Sequence, residues 1–218
     1  VEITIKNNVL RLTPERAIFW QEESAVLLSD LHIGKIAHFR NEGIALPQHA
    51  SQENFRRLDR LMEKLQPEKM IIIGDLFHSS VNREWDMFCA WRDQYPSVNM
   101  QVVLGNHDRL PKRMYDCANL EVHREELQMG PFILAHHPRR EIGENEYVIS
   151  GHIHPVVLIS GMARQQLRFP CFYFGRQQAI LPSFGYFTGG YFIEPEKEDT
   201  VVAVVKEKLV TVQAGSFV

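Results

Sequence analysis

Cysteine is scarce in this sequence. Three residues, Cys89, Cys117 and Cys171, stand in 218 positions and form no CxxC pair. That excludes a disulfide framework or a zinc finger and fits reduced thiols, each read as a small buried apolar residue. No apolar run approaches the length of a membrane span. The start, Val-Glu-Ile-Thr-Ile-Lys, alternates in polarity and lacks the basic head and apolar stretch of a secretory signal. The expected location is cytoplasmic. Excess charge is absent too: 24 Lys and Arg against 27 Asp and Glu give a net charge of -3, with a pI near 6.4. This argues against a protein that coats itself with nucleic acid. Any polyanion must meet local positive charge, from metals or from a few Lys and Arg around a cleft. With no repeat, low-complexity segment or linker, one domain over 1–218 is expected.

What is present is a succession of short apolar runs. A hydrophobic share of 44% supplies a core and argues against disorder. Glu2–Lys6 and Val9–Leu12 read as a hairpin around Asn7-Asn8, with Ala17–Trp20 beyond it. Ala25–Ser29, Met70–Ile73 and Val102–Leu104 are continuous apolar runs, the mark of strands buried on both faces. Between them, residues 47–66 carry Phe55, Leu58, Leu61, Met62 and Leu65 at helical spacing, closed by Pro67. Arg56, Arg57 and Arg60 then read as a solvated helix face. A second helix is expected over Arg83–Gln94. After Phe132–Ala135 and Val148–Ser150, the chain is rich in β-formers: 156–159, 167–174, 191–193, 201–205 and 209–212. Alternating strands and helices followed by a run of strands predict an α/β fold with two packed mixed sheets.

Five of these strands end in residues of metal-ligand type. The clusters are Asp30-Leu31-His32, Gly74-Asp75, Gly105-Asn106-His107-Asp108, His136-His137 and Gly151-His152-Ile153-His154. In open α/β sheets, sites form at the carboxyl ends of strands, so residues distant in sequence converge. In an extended segment, residues two apart point to one side, which lets Asp30 with His32, and His152 with His154, each grip one ion. Gly151 leaves room for the chain to bend. A single carboxylate such as Asp75 has two oxygens and can bridge two ions, while Asn106 adds a neutral oxygen. Mixed imidazole and carboxylate donors suit Mn, Fe, Zn, Co or Ni better than Ca or Mg. Alone, each motif is more often structural; five in order at strand ends are hard to explain by chance.

The order DLH, GD, GNHD, HH, GHIH resembles the calcineurin-like metallophosphoesterase superfamily. The stretches at 30–47, 135–140, 168–174 and 181–190 further resemble the ligase-associated DNA-damage-response endonuclease family, PdeM. The resemblance implies a four-layer α/β/β/α sandwich and a phosphodiesterase or nuclease with two divalent ions, most often Mn. It also implies work on DNA in bacterial repair, beside a DNA ligase and a helicase. Carried over by residue, Asp30, His32, Asp75 and His154 hold one ion. Asp75, Asn106, His136 and His152 hold the other. His107 is the acid or transition-state donor, and Asp108 its orienting partner. His136 is preferred to His137 as ligand because it comes first after its strand.

Lys35, Arg40, Arg109, His137 and Arg139, with Arg140, are candidates to contact substrate phosphates, against the simpler reading of ordinary surface charge. Phe39, Phe184, Tyr186 and Phe187 are candidates to stack bases, against core or loop packing. Two rival functions stand beside a DNA nuclease. The acidic pI favours a phosphodiesterase for small cyclic nucleotides. A repair-complex binding module with a degenerate site is disfavoured, because no ligand position carries an inert residue.

Overall fold

In the computed structural model, the described residues are 1–44, 49–78, 83–160, 166–186 and 188–212. Seven strands pair in sequence order into a first sheet: β1 (Glu2–Ile5), β2 (Asn8–Leu12), β3 (Ile18–Trp20), β4 (Ala25–Ser29), β5 (Lys69–Ile73), β6 (Asn99–Val103) and β7 (Glu121–His123). The hairpins β1–β2–β3–β4 are antiparallel, and β4–β5–β6–β7 are parallel. Parallel neighbours need crossovers. These are supplied by α1 (Lys35–Asn41) and α2 (His49–Leu65), then α3 (Arg83–Arg92), then α4 (Lys112–Cys117).

The second sheet runs β14-β11-β12-β13-β10-β9-β8, with β15 and β16 branching from β12. Its strands are β8 (Glu126–Met129), β9 (Phe132–Ala135), β10 (Val148–Ser150), β11 (Pro155–Ser160), β12 (Gln166–Phe174), β13 (Gln178–Ile180), β14 (Tyr191–Phe192), β15 (Thr200–Val205) and β16 (Lys208–Val212). β9, β10 and β13 are parallel neighbours.

The continuous apolar runs are explained by two-sided burial. Along β5, Ile71 and Ile73 join Phe132, Leu134, Ile149, Phe172 and Val202 in a core between the sheets. Met70 and Ile72 face the other way, onto Leu58, Leu61 and Met62 of α2 and onto Trp85, Phe88 and Trp91 of α3. Each fully buried large side chain contributes roughly 1.5–3 kcal/mol. The architecture is thus the expected α/β pair of mixed sheets. Among the described residues, α2, α3 and α4 cover the first sheet, while no helix covers the outer face of the second, where Val157, Cys171, Val201 and Ala203 of its own strands form a small apolar cluster.

Some local readings change. Arg57 is not on a solvated face: it is buried, and its Nη1 donates to the Phe184 carbonyl at 2.6 Å. Of the cysteines, only Cys171 is buried, while Cys117 is exposed. Helix α3 stops at Arg92, and β6 occupies Asn99–Val103, earlier than Val102–Leu104. The start of the helix expected over 47–66 lies outside the described residues up to position 48.

Candidate metal centre

The loops after β4 and β5 run side by side. The amide of Asp30 donates to Gly74 O, His32 to Asp75 O and Ile33 to Leu76 O, at 2.9–3.1 Å. A bridge between Ser29 and Ser183 ties this corner to the segment after β13, and Ser183 Oγ donates to Asp30 O at 2.9 Å. Both sheets therefore meet where their strands end.

The seven donor residues gather there. His32 Nε2 lies 3.4 Å from His154 Nε2 and 3.8 Å from Asp75 Oδ2. Asp30 Oδ1 lies 3.3 Å from His154 Nε2 and 3.9 Å from His136 Nδ1. On the other side of Asp75, its Oδ2 is 3.5 Å from His136 Nε2. That nitrogen is 3.0 Å from Asn106 Oδ1 and 3.1 Å from His152 Nδ1. Two donor sets thus share the Asp75 carboxylate. Its second oxygen, Oδ1, accepts the His107 backbone N–H at 2.9 Å.

The backbone that presents these groups is not extended. Asp30, His32, Asp75, His152 and His154 all have φ between 49° and 68°. The side chains of Asp30 and His32 therefore converge through left-handed turns rather than through strand alternation. Non-glycine residues in such conformations cost of order 1–3 kcal/mol each, strain that clusters at functional sites. Gly151 has a steric role: a Cβ there would lie 2.4 Å from Asp30 Oδ2. The backbone N–H of His152 uses that approach, donating to the same oxygen at 3.0 Å.

The donor chemistry fits cations. Asp30 Oδ1, His32 Nδ1 and His136 Nδ1 are buried without a hydrogen-bond partner, which is costly unless another species satisfies such groups. Two imidazole nitrogens at 3.4 Å cannot both carry protons toward each other. Burial pushes His32, His136 and His152 below the ordinary histidine range, with neighbouring imidazoles adding to this at His32 and His152. They are neutral at pH 7, the form that ligates metal. Among the described residues, three groups of His and Asp have ligand atoms within 4.8 Å of one another: Asp30, His32 and His154; Asp30, Asp75 and His136; and His136, His137 and His152.

The profile of a family described as calcineurin-like phosphoesterase matches residues 24–138, more than half the chain. The chain belongs to the calcineurin-like phosphoesterase family. It is accordingly a phosphoric ester hydrolase, and the family implies divalent metal ions. Among solved structures, the crystal structure of Pseudomonas putida nuclease MPE aligns with a TM-score of 0.83 and 29% identity over 97% of this chain and 99% of that one. Yfce, a phosphoesterase from E. coli, aligns with a TM-score of 0.47 and 13% identity over 88% of this chain and 99% of that one. No curated protein matches the sequence significantly.

The remaining candidates divide. The Lys35 ammonium lies in the field of Asp75 and Asp30; burial lowers its pKa, and these carboxylates oppose the shift. His137 is exposed, its ring 4.1 Å from that of His152. Arg109 is exposed, with Nε 3.4 Å from Asn106 O, and Arg40 is exposed on α1. Arg139 is instead paired with Glu126 and Glu146, which removes the motive for a phosphate contact. Asp108 also departs from expectation. Its carboxylate accepts the backbone N–H groups of Leu76, Phe77 and Gly105 at 2.9–3.3 Å, so it fastens two loops together rather than orienting the His107 ring. Burial pushes that carboxyl up to about 6 against these three donors.

The ring beside His107 is His78, at 4.5 Å between centroids and 5.4 Å from His32. Sequence reading missed His78, although its place three residues after Asp75 was a usable signal. Phe184 is core, Phe39 is half-buried and Phe187 lies outside the described residues.

Proposed function

We propose that this phosphoesterase is a dinuclear phosphodiesterase acting on DNA, an endonuclease of bacterial repair whose partners are the DNA ligase and helicase of the same system. The observation that carries this reading is the pair of donor sets meeting at Asp75, together with similarity over nearly the whole chain to a protein described as a nuclease. Asp30, His32, Asp75 and His154 would hold one ion, and Asp75, Asn106, His136 and His152 the other, with Mn the preferred metal. When bound, such a pair lowers the pKa of water toward neutrality and offsets the charge of an in-line transition state.

The chain's own groups do the rest. Asp75 Oδ1 holds the His107 amide, which fixes where the His107 ring begins. The His107 ring would serve as the acid that gives a proton to the leaving oxygen as the ester bond breaks. Asp108 keeps the Gly105 and Leu76 loops in register, so the acid and the ligands stay at constant separation. Lys35 adds positive charge at the edge of the cluster.

A phosphodiesterase for small cyclic nucleotides is the second reading, favoured by a pI near 6.4. Nicking of supercoiled plasmid and hydrolysis of a cyclic mononucleotide, measured side by side with Mn, separate the two. Nicking is the expected result. Turnover of the cyclic nucleotide with intact plasmid overturns the DNA assignment, and no turnover of either with metal bound overturns both readings in favour of another phosphoric ester.

A further inference from the structure

A cavity of about 400 Å³ opens beside His154, lined by Arg16 and Arg168 as well as Tyr186, Gly189 and Gly190. Among the described residues no carboxylate lines it, in contrast to the cavity around Arg139, which contains Glu141, Glu196 and Asp199. Its volume lies in the range of small-ligand sites.

Its wall is built in register with the metal centre. Gly189 O lies 3.1 Å from His154 Nδ1, and the adjacent Gly190 O accepts a hydrogen bond from Arg168 Nη2 at 3.1 Å. Neighbouring peptide units, with Cα atoms 3.8 Å apart, thus hold a candidate metal ligand and a guanidinium. Gly190 admits no side chain: a Cβ would lie 2.5 Å from Val156 Cγ1 and 2.7 Å from His154 O. The turn is therefore pressed against β11, and its position is fixed. Arg168 Cζ sits 4.4 Å from the centroid of the Phe192 ring. Phe192 is 51% exposed and Tyr186 is 41% exposed. Arg16 Nη1 donates to Ser183 O at 3.1 Å, joining this cavity to the segment that holds Asp30. Two guanidiniums with exposed aromatic rings are the chemistry that receives a phosphate and its stacked base.

We propose that this cavity binds the nucleotide next to the scissile phosphate, with Arg168 on the neighbouring phosphate and Phe192 and Tyr186 as stacking surfaces. The proposal rests on the phosphodiesterase reading of the adjacent centre. It explains how a protein with net negative charge meets a polyanion locally.

The test compares wild type with Arg168→Ala, Arg168→Lys and Phe192→Ala, whose altered side chains lie at the surface. A fluorescein-labelled hexathymidylate is titrated in Ca²⁺, and anisotropy is read. Turnover with Mn is then measured on the same oligonucleotide and on bis(p-nitrophenyl) phosphate, which has no neighbouring phosphate. Arg168→Ala and Phe192→Ala are each expected to weaken oligonucleotide binding about 10-fold, as loss of one stacking or charged contact does. The loss in kcat/KM on the oligonucleotide should exceed that on the aryl ester by about the same factor, mostly in KM. Arg168→Lys should recover part of the binding. Unchanged binding in both alanine variants, or equal losses on the two substrates, overturns the proposal. Inert wild type on both substrates defeats the phosphodiesterase reading instead, while the anisotropy arm still reports on the cavity.

Discussion

Asp75 carries two jobs at once: Oδ2 faces His32 on one side and His136 on the other, and Oδ1 anchors His107. Residue type and place at a strand end pointed to it and to the six residues that gather around it. The left-handed turns that aim them were not readable, because no residue between Asp30 and His32 signals the turn. The partners of Asp108 were also hidden, since backbone N–H groups have no sequence signature. The choice between His136 and His137 has a direct test. His136 is buried, with Nε2 beside Asn106, Asp75 and His152, whereas His137 is exposed at the rim. Metal analysis of His136→Ala is expected to show loss of about one ion per chain, while His137→Ala retains both, in keeping with the ligand count a transition-metal site needs. The reverse pattern would reassign the ligand.

Strands β4, β5, β9 and β10 were legible because two-sided burial demands continuous apolar runs, whereas β6, with Asn99 and Gln101 in its first half, was expected three residues too late. Helices α1 and α4 were not, since they have only seven and six residues, too short for a periodic stripe. Helix α1 is preceded by Gly34 as its N-cap, in a left-handed conformation with no side-chain cap of its own. Its cap comes from α3: the Glu84 carboxylate accepts the N–H groups of Gly34 and Ala37 at 2.8 and 3.0 Å. A contact across fifty positions leaves no local trace in sequence. Because Lys35 rides on this turn, Glu84 also holds positive charge at the metal centre. Glu84→Ala is expected to lower unfolding stability by about 2 kcal/mol, the scale of a charged cap. Urea unfolding checks this, and a loss below about 0.5 kcal/mol would mean that the cap is not holding the helix.

At the scale of the whole molecule, two sheets converge their carboxyl ends on one buried cluster of imidazoles, and this makes stability depend on pH. Burial lowers His32, His136 and His152, and takes His78 down to about 4. The unfolded chain, with histidines near pKa ~6.5, therefore binds more protons below that pH. The metal-free protein should keep its full histidine contribution above about pH 6.5 and lose it progressively toward about pH 4. Asp108, raised to about 6, works in the opposite direction but is a single group. Urea midpoints are expected to fall as pH is lowered through this window, less steeply in His78→Asn, and a midpoint that rises on acidification would contradict the assignment. The most direct measurement of the central claim is the metal content of the purified chain saturated with Mn and freed of excess. Wild type is expected to hold two ions per chain and Asp75→Ala to lose both, because both sets lose their shared carboxylate. One ion or none in saturated wild type, or two retained without Asp75, would contradict a bridged pair.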